Sequence, residues 1–276
     1  MLAARKRPVH TLRLAVGQML VAGGEVSANL DRAETMIRRA ATAGCAVVVL
    51  PECLDVGWTD PSARALAEPI PGPPMHRLAQ SAAAQHIFVV AGLTERDGDR
   101  IYNSAVLLDD LGQLLLCHRK INELDIAQDL YAIGDRLQVV RTTFGVVGVN
   151  ICADNFPNAL DIGRTLGRMG AQILLSPSAW AVAADHDPAR EPYGALWRDA
   201  YGQLARAFQM PVVGASNVGP IRGGPWAGRR CIGCSLVIDA DGREIVTGPY
   251  NEPALLVVEV TLHDDRPAGT AISGLL

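Results

Sequence analysis

The chain has 276 residues, of which 49% are hydrophobic and 20% are charged, with a formal net charge of −4 and a mean hydropathy of +0.16. This composition excludes a disordered or collagen-like chain. The slightly acidic balance and the scattered arginines argue against a nucleic-acid partner, which needs a basic face. The apolar stretches are too short to cross a bilayer, and no signal-peptide core follows the first basic residues. The sequence therefore predicts a cytoplasmic protein without a membrane partner.

Strand-like runs of Val, Ile and Leu alternate with Ala-rich segments along the first half of the chain. Apolar residues at helical spacing predict helices, and continuous apolar runs predict strands buried on both faces. In chain order the pattern predicts a strand at 12–20, a helix at 28–43, a strand at 46–50, a helix at 74–85, a strand at 87–93 and a hairpin with arms at 103–108 and 113–119.

The same order of elements returns after a polar stretch at 121–136. Three segments of the first half match segments of the second: VVVLPE matches ILLSPS, FVVAGLT matches PVVGASN, and SAVLLDDLGQLLL matches CSLVIDADGREIV. The chain therefore consists of two similar halves. The second half is predicted to contain a strand at 146–151, a helix at 158–169, a strand at 172–175, a helix at 195–208, a strand at 212–215 and a hairpin at 234–247.

Two similar halves predict an α/β fold with four layers. Each half has two helices, which cover only one face of its sheet. The uncovered faces of the two sheets bury each other, which gives an α-β-β-α sandwich. We therefore expect one domain over residues 1–276, with a tail at 1–10 and a C-terminal extension at 262–276. In such sheets, reactive groups lie just beyond the carboxyl ends of strands.

Three chemically active residues, Glu52, Lys120 and Cys152, directly follow predicted strands. Lys120 is unusual because the 25 cationic residues include only one other lysine, Lys6. A chain that otherwise uses arginine, and places a lysine at one interior position, draws attention to that position. The alternative interpretation is that Lys120 is an ordinary surface lysine without a function and that the arginine bias reflects genome composition.

Cys152 ends an apolar strand and precedes a helix, so its sulfur lies at a strand-to-helix turn. Backbone N–H groups and the positive end of the helix stabilise a thiolate there, and a nearby ammonium lowers the thiol pKa further. These features predict an activated nucleophile. The alternative is a small buried apolar residue, which is the commoner role of a cysteine.

Glu52 and Lys120 supply the groups that such a nucleophile needs. A carboxylate after a buried strand and a proline is poorly solvated, which suits a general base. A compact ammonium with three donors can stabilise the oxyanion of a tetrahedral intermediate, a task that suits the planar fork of arginine less well. For Glu52 the alternative is a carboxylate turned into water or paired with an arginine.

The remaining motifs do not predict a cofactor or a metal. The six cysteines are too sparse for a disulfide scaffold and are expected to be reduced thiols. Cys231 and Cys234 form a single C-x-x-C pair, which without a second pair is a weak sign of zinc. No GxxxxGK[ST] phosphate loop is present, which disfavours a nucleotide enzyme.

Together these residues resemble the carbon–nitrogen hydrolase (nitrilase) superfamily over nearly the whole chain. The family has glutamate in an L-P-E context, lysine in an R-K context and cysteine in an I-C-x-D context. This chain has these motifs in the same order, as Leu50-Pro51-Glu52, Arg119-Lys120 and Ile151-Cys152-Ala153-Asp154. Three ordered motifs on a duplicated α/β chain are much more specific than any one of them.

The resemblance implies that Cys152 attacks an amide or nitrile carbon and that Glu52 moves the protons of a thioester mechanism. Lys120 and the backbone N–H of Ala153 would then hold the oxyanion, and no metal would be needed. The family also implies a homodimer or higher homo-oligomer. The substrate is expected to be a small amide. An N-carbamoyl amino acid hydrolase and a true nitrilase are the alternatives, and a non-catalytic binding or assembly protein of the same fold is an alternative from a different class.

The chain departs from the family pattern in two places. After the nucleophile many members have C-Y-D-x-R-F-P-E, whereas residues 152–158 lack the arginine and the final glutamate. Members also carry a second active-site glutamate between the lysine and the cysteine, for which Glu123 and Asp129 are both candidates. Trp58 and Trp180 are predicted to line the pocket or, equally, to pack under loops.

Overall fold

The computed structural model describes residues 9–263, and its first half alternates strands with helices largely as predicted. The helix at 28–43 and the hairpin arms agree with the structure to within a few residues. The first-half elements are β1 (Val9–Gln18), α1 (Val26–Thr42), β2 (Val47–Val49), α2 (Ala63–Leu66), α3 (Pro73–Gln85), β3 (Phe88–Asp97), β4 (Arg100–Leu108) and β5 (Leu114–Arg119).

The second half repeats this order and adds short strands. Its elements are β6 (Val139–Thr142), β7 (Gly145–Val149), α4 (Leu160–Met169), β8 (Ile173–Ser178), β9 (Ala181–Val182), α5 (Ala195–Phe208), β10 (Val212–Ser216), β11 (Val218–Pro220), β12 (Arg230–Ile232), β13 (Leu236–Ile238), β14 (Glu244–Thr247) and β15 (Ala254–His263). Strands β9, β11 and β12 form a small separate sheet.

Two six-stranded sheets with the same strand order form the centre of the molecule. The first sheet runs β15-β1-β2-β3-β4-β5, and the second runs β6-β7-β8-β10-β13-β14. Even the register repeats, since Leu14 lies beside Val47 in the first sheet and Val147 beside Ile173 in the second. The two sheets face each other, with α1 and α3 outside the first and α4 and α5 outside the second. This arrangement confirms the four-layer α-β-β-α sandwich of two similar halves.

Side chains of the central strands alternate between two apolar clusters. On β1, Leu14 and Val16 lie in the cluster between the sheets, whereas Ala15 lies in the cluster under α1 and α3. Successive residues of a strand point to opposite faces, so a strand covered on both faces must be apolar throughout. This is why the strand interiors read as continuous apolar runs, and why the polar residues that follow them stand out.

The two strands at the ends of the described chain overlap the segments predicted as tail and extension. Strand β1 begins at Val9, inside the predicted tail, and β15 continues to His263, past the predicted start of the extension. Strand β15 pairs with β1 over its whole length, and this pairing extends both strands into the segments predicted as tail and extension. The rest of the tail and of the extension lies outside the described residues. Within the described part of the chain, no helix is both long and apolar enough to cross a bilayer.

The turn that follows β2 packs directly against Gly92 on β3. A Cβ atom at Gly92 would lie 2.5 Å from the Cα of Glu52 and 2.7 Å from the carbonyl oxygen of Pro51. Both contacts are with backbone atoms, which cannot move aside as a flexible side chain can. Glycine at this position therefore allows Glu52 to sit where it does.

Replacing Gly92 with alanine is expected to reduce the free energy of unfolding by about 1–3 kcal/mol, because the added methyl group overpacks the turn. Chemical denaturation measures this loss. The matched control is Gly202→Ala on α5, where the nearest contact of the new Cβ is the flexible Arg206 side chain at 3.0 Å. That variant should be as stable as the wild type or slightly more so. Equal effects at the two glycines would contradict the packing argument.

Candidate active site

Glu52, Lys120 and Cys152 come together where their strands end. Glu52 follows β2, Lys120 follows β5 and Cys152 follows β7, and all three are buried. Lys120 Nζ lies 2.7 Å from Glu52 Oε1. The Cys152 thiol is close enough to both for Glu52 to raise its pKa and for Lys120 to lower it. A carboxylate, an ammonium and a thiol thus share one enclosed space.

The two carboxylate oxygens of Glu52 have different surroundings. Oε1 accepts hydrogen bonds from Lys120 Nζ at 2.7 Å and from Asn103 Nδ2 at 2.6 Å. Oε2 is buried, and no group among the described residues forms a geometrically defined hydrogen bond to it. A buried carboxylate oxygen without a donor is costly unless a proton or a ligand reaches it. Oε2 is therefore the oxygen suited to take a proton from the thiol.

Cys152 occupies a strained turn. Its φ of +43° lies in the left-handed region, which non-glycine residues rarely adopt, and it begins a 3-10 turn at Cys152–Asn155. The turn is held from β8: the Cys152 N–H donates to Ser176 Oγ at 3.2 Å, and Asn155 Nδ2 donates to the same oxygen at 3.0 Å. Such a turn presents the sulfur beyond the strand end and directs the following backbone N–H groups toward one side.

The sequence-based expectation of a lowered thiol pKa is wrong. Burial raises the pKa of Cys152 well above its ordinary value, and the charge of Glu52 raises it further. The opposing effects of Lys120 and of the Ala179 N–H, which bonds to the sulfur, are smaller. The resting residue is therefore a thiol, and its activation needs a base in contact with it.

The charge of Lys120 is maintained by two carboxylates. Burial alone would lower the pKa of Lys120, but Glu123 and Glu52 together raise it well above its ordinary value. Glu123 Oε2 lies 3.5 Å from Nζ. The ammonium therefore remains protonated in a site that is almost closed to water.

The structure separates the two candidates for a second acid. Glu123 is buried beside Lys120. Asp129 is exposed, and its main-chain carbonyl accepts a hydrogen bond from Arg64 at 2.9 Å. Periodicity could not separate these candidates, because both lie in the irregular segment 121–136.

The sequence profile described as carbon–nitrogen hydrolase matches residues 13–268. This chain belongs to the carbon–nitrogen hydrolase family. The omega-amidase of Danio rerio is 33% identical over 178 residues, which cover 61% of this chain and 63% of that protein. Nitrilase 3 of Arabidopsis thaliana is 30% identical over 194 residues, which cover 62% and 55% respectively. These matches span less than two thirds of the length of either relative.

Solved structures show the same fold. An amidase from Nesterenkonia sp. has a TM-score of 0.76 and 22% identity over 92% of this chain and 91% of its own. A variant of the amidase from Nesterenkonia sp. AN1, in which acrylamide has added to the active-site cysteine, has a TM-score of 0.76 and 21% identity over 90% and 92%. This similarity confirms the nitrilase-like architecture of the hydrolase.

In this carbon–nitrogen hydrolase, Asp154 links the cysteine turn to the lysine segment. Its Oδ1 accepts from the N–H groups of Ile121 at 3.0 Å and Asn122 at 2.8 Å. Its Oδ2 lies 3.0 Å from the Ile151 N–H and 2.8 Å from His118 Nε2. Although burial opposes it, the bond with His118 helps to hold the pKa of Asp154 below its ordinary value. The I-C-x-D motif contains this aspartate, but the sequence assigned no role to His118.

The two tryptophans predicted to line the pocket lie in different places. The ring of Trp58 is centred 5.8 Å from Lys120 Nζ, so it forms part of the wall around the ammonium. Trp180 is fully buried and stacks on Trp197 with ring centroids 4.8 Å apart. Beside this stack lies a cavity of about 660 Å³ whose walls include Phe156, Tyr193 and Trp197. Trp180 therefore supports that wall from behind.

The site contains the three catalytic candidates and Glu123. Within residues 9–263, no group of three or more His, Cys, Asp or Glu side chains is arranged to hold a metal ion. Cys231 and Cys234 are free thiols.

The contribution of the Glu123 charge to activity can be tested near neutral pH. Burial raises the pKa of Glu123 to about 7, against the lowering effect of Lys120. As the pH falls through 7 the carboxylate gains a proton and ceases to balance the ammonium, so hydrolytic activity is expected to decline there. Glu123→Gln imitates the protonated form. Because the ammonium loses a charged partner at 3.5 Å, this variant should lower kcat about 10- to 100-fold above pH 7, a loss similar in size to that of one charged hydrogen bond. It should also remove the decline from the kcat profile.

The control for this measurement is Asp129→Asn, which changes the other acid of the same segment. Because Asp129 is exposed, its substitution should leave both kcat and the pH profile unchanged. A decline near pH 7 that persists in Glu123→Gln would show that a different group causes it.

Proposed function

We propose that this carbon–nitrogen hydrolase cleaves a non-peptide C–N bond of a small amide through a thioester on Cys152. The products are a carboxylic acid and ammonia or an amine. The observation that carries the proposal is the buried Glu52–Lys120 pair, 2.7 Å apart, with one carboxylate oxygen free and a thiol beside it. A thiol with a raised pKa is a poor nucleophile by itself, so the adjacent carboxylate supplies the missing base.

In the acylation step, Glu52 Oε2 accepts the thiol proton while the sulfur attacks the amide carbonyl carbon. The carbonyl oxygen becomes an oxyanion, which Lys120 Nζ and the Ala153 N–H stabilise by hydrogen bonding. Glu52 then returns the proton to the nitrogen of the substrate, the C–N bond breaks, and ammonia or an amine leaves. Cys152 is left as a thioester.

In the deacylation step, Glu52 takes a proton from water, and the resulting hydroxide attacks the thioester carbonyl. The same donors hold the second oxyanion. When the C–S bond breaks, the proton returns from Glu52 to the sulfur, and the acid product leaves. Lys120 stays protonated throughout, which agrees with a pKa raised by the charges of Glu123 and Glu52 against the effect of burial.

An amide is preferred over the other substrates because the similar proteins include omega-amidases and solved amidases. A nitrilase is also among the relatives, so nitriles and N-carbamoyl amino acids remain the alternatives. The cavity beside Phe156 and Tyr193 is the proposed place for the part of the substrate that does not react.

A substrate panel tests the proposal. Small amides, N-carbamoyl amino acids and nitriles are incubated with the enzyme. Ammonia without CO₂ from an amide indicates an amidase, and ammonia with CO₂ indicates an N-carbamoyl hydrolase. Consumption of a nitrile indicates a nitrilase. Acid quenching during turnover should show the Cys152 peptide heavier by one acyl group. Turnover without any adduct on that peptide would overturn the thioester mechanism.

We also propose that the protein acts in the cytoplasm as a homodimer or higher homo-oligomer, without a cofactor, nucleic-acid or membrane partner. Free cysteines suit a reducing compartment, and all six are free in the structure. Met169 on α4 and Leu196 on α5 are exposed apolar side chains that a second copy would cover. Light scattering after gel filtration measures the oligomeric state, and a monomer would overturn that part of the proposal.

A further inference from the structure

Asn103, on β4, connects the two charged residues of the site, although nothing in the sequence marked it. Its side chain is fully buried. Nδ2 donates to Glu52 Oε1 at 2.6 Å, and its main-chain carbonyl accepts the Lys120 N–H at 2.9 Å. One residue thus contacts the base through its side chain and the ammonium-bearing residue through its backbone.

We propose that Asn103 is a positioning residue that fixes the Glu52 carboxylate so that Oε2, and not Oε1, takes the Cys152 proton. The proposal rests on the function proposed above. A carboxylate held by one donor can rotate about its terminal bond, since that torsion is broad. With Lys120 and Asn103 both donating to Oε1, rotation would break two charged hydrogen bonds, so Oε2 remains the oxygen available to the thiol.

The orientation of the Asn103 amide is itself fixed. The Cys53 thiol donates to Asn103 Oδ1 at 3.4 Å, so the amide nitrogen is directed toward Glu52. If the amide were flipped, its oxygen would face the carboxylate, and the thiol would lose its acceptor. Cys53 is held in turn beside Tyr131, whose hydroxyl lies 3.7 Å from the sulfur and accepts the Thr59 N–H at 3.1 Å. A chain of buried contacts therefore ends on Glu52.

The alternative is that Asn103 contributes only to folding. Buried polar groups are usually bonded whatever their function, so burial does not decide between the roles. The distinguishing feature is the acceptor of the hydrogen bond, because Asn103 Nδ2 donates to Glu52, the proposed base itself. A purely structural asparagine would change stability when replaced, without changing the rate of proton transfer from the thiol.

Asn103→Leu removes the donor while keeping a similar volume. It is expected to lower kcat about 10- to 100-fold with little change in KM, because a misplaced base slows the chemical step more than binding. The matched control is Ser104→Ala, which deletes a buried hydrogen bond from the next residue of β4 to Glu95. It should leave kcat and KM unchanged.

A second readout separates this inference from the proposed function. The rate at which iodoacetamide alkylates Cys152 reports proton removal from the thiol and needs no substrate. Peptide mass spectrometry should show this rate reduced about tenfold at neutral pH in Asn103→Leu and unchanged in Ser104→Ala. An enzyme that hydrolyses no amide but shows this difference would refute the proposed substrate and retain the role of Asn103.

If Asn103→Leu does not fold, variants of Cys53 test the orientation of the Asn103 amide instead. Cys53→Ala removes the donor that fixes the amide, and Cys53→Ser restores one. Alanine should slow Cys152 alkylation severalfold, and serine should recover most of the rate. The inference is overturned if a folded Asn103→Leu keeps the wild-type kcat and alkylation rate. It is equally overturned if alanine and serine at position 53 behave alike.

Discussion

The Cys152→Ala variant is expected to release ammonia from amides at least about 10⁴-fold more slowly than the wild type. Removing the nucleophile of a cooperating set costs about as much as removing the whole set, because the remaining groups have no covalent step to assist. The fold should persist, since alanine retains the small apolar volume and Ser176 Oγ still accepts the backbone N–H at this position. Ammonia release with a coupled assay measures the loss, and thermal unfolding checks the fold.

Cys45→Ala is the matched control for this variant. Cys45 is also a buried free cysteine, but it lies in the cluster under α1 and α3. Its replacement should leave turnover unchanged. Ammonia release by Cys152→Ala at more than a hundredth of the wild-type rate would contradict a thioester at that sulfur. A wild type that hydrolyses no member of the panel, and whose Cys152 is not preferentially alkylated, would support the non-catalytic binding protein.

The positions of Glu52, Lys120 and Cys152 could be predicted because each follows a strand that is easily recognised. Interior strands of a four-layer sandwich are apolar on both faces, so Glu52 directly after such a run is conspicuous. Lys120 follows the edge strand β5 and stands out instead by the rarity of lysine. The carboxyl ends of the parallel strands meet at one edge of each sheet, and the two halves repeat this arrangement. The architecture, and the strand ends at which the three side chains come together, could therefore be predicted from periodicity and the duplicated segments.

Other parts of the site could not be predicted because they depend on contacts between distant segments. Asn103 lies inside a strand, and only the approach of the turn after β2 makes it a partner of Glu52. Glu123 and Asp129 look equivalent in the sequence, whereas the path of the intervening loop buries one and exposes the other. No local pattern encodes that path.

The direction of the Cys152 pKa shift was mispredicted for a related reason. The nearby ammonium was recognised from the sequence, and it does favour the thiolate. What the sequence did not show was that the thiol is buried and faces the Glu52 carboxylate, and these two effects are larger. In the proposed mechanism the proton therefore passes from the thiol to a positioned base, and no stable thiolate is required.

Lys120→Arg is expected to lower kcat about 10³-fold although it keeps the positive charge. The ammonium is almost completely buried, with Glu52 at 2.7 Å, Glu123 at 3.5 Å and the Trp58 ring centre at 5.8 Å. A guanidinium is larger and planar, and its donors point in fixed directions that do not match both carboxylates and an oxyanion together. The loss corresponds to about 4 kcal/mol of transition-state stabilisation, the size of an oxyanion-hole donor.

Arg119→Lys is the control, since it makes the reverse exchange one residue away. Arg119 binds Glu95 and Asp97 outside the site and is only partly buried, so its variant should keep nearly the wild-type kcat. Steady-state kinetics on the preferred amide compares the two. Lys120 is the single lysine among the described residues, and a large loss only at that position would show that the chemistry requires an ammonium there. A Lys120→Arg enzyme with near-normal turnover would mean that the rarity of lysine reflects composition alone.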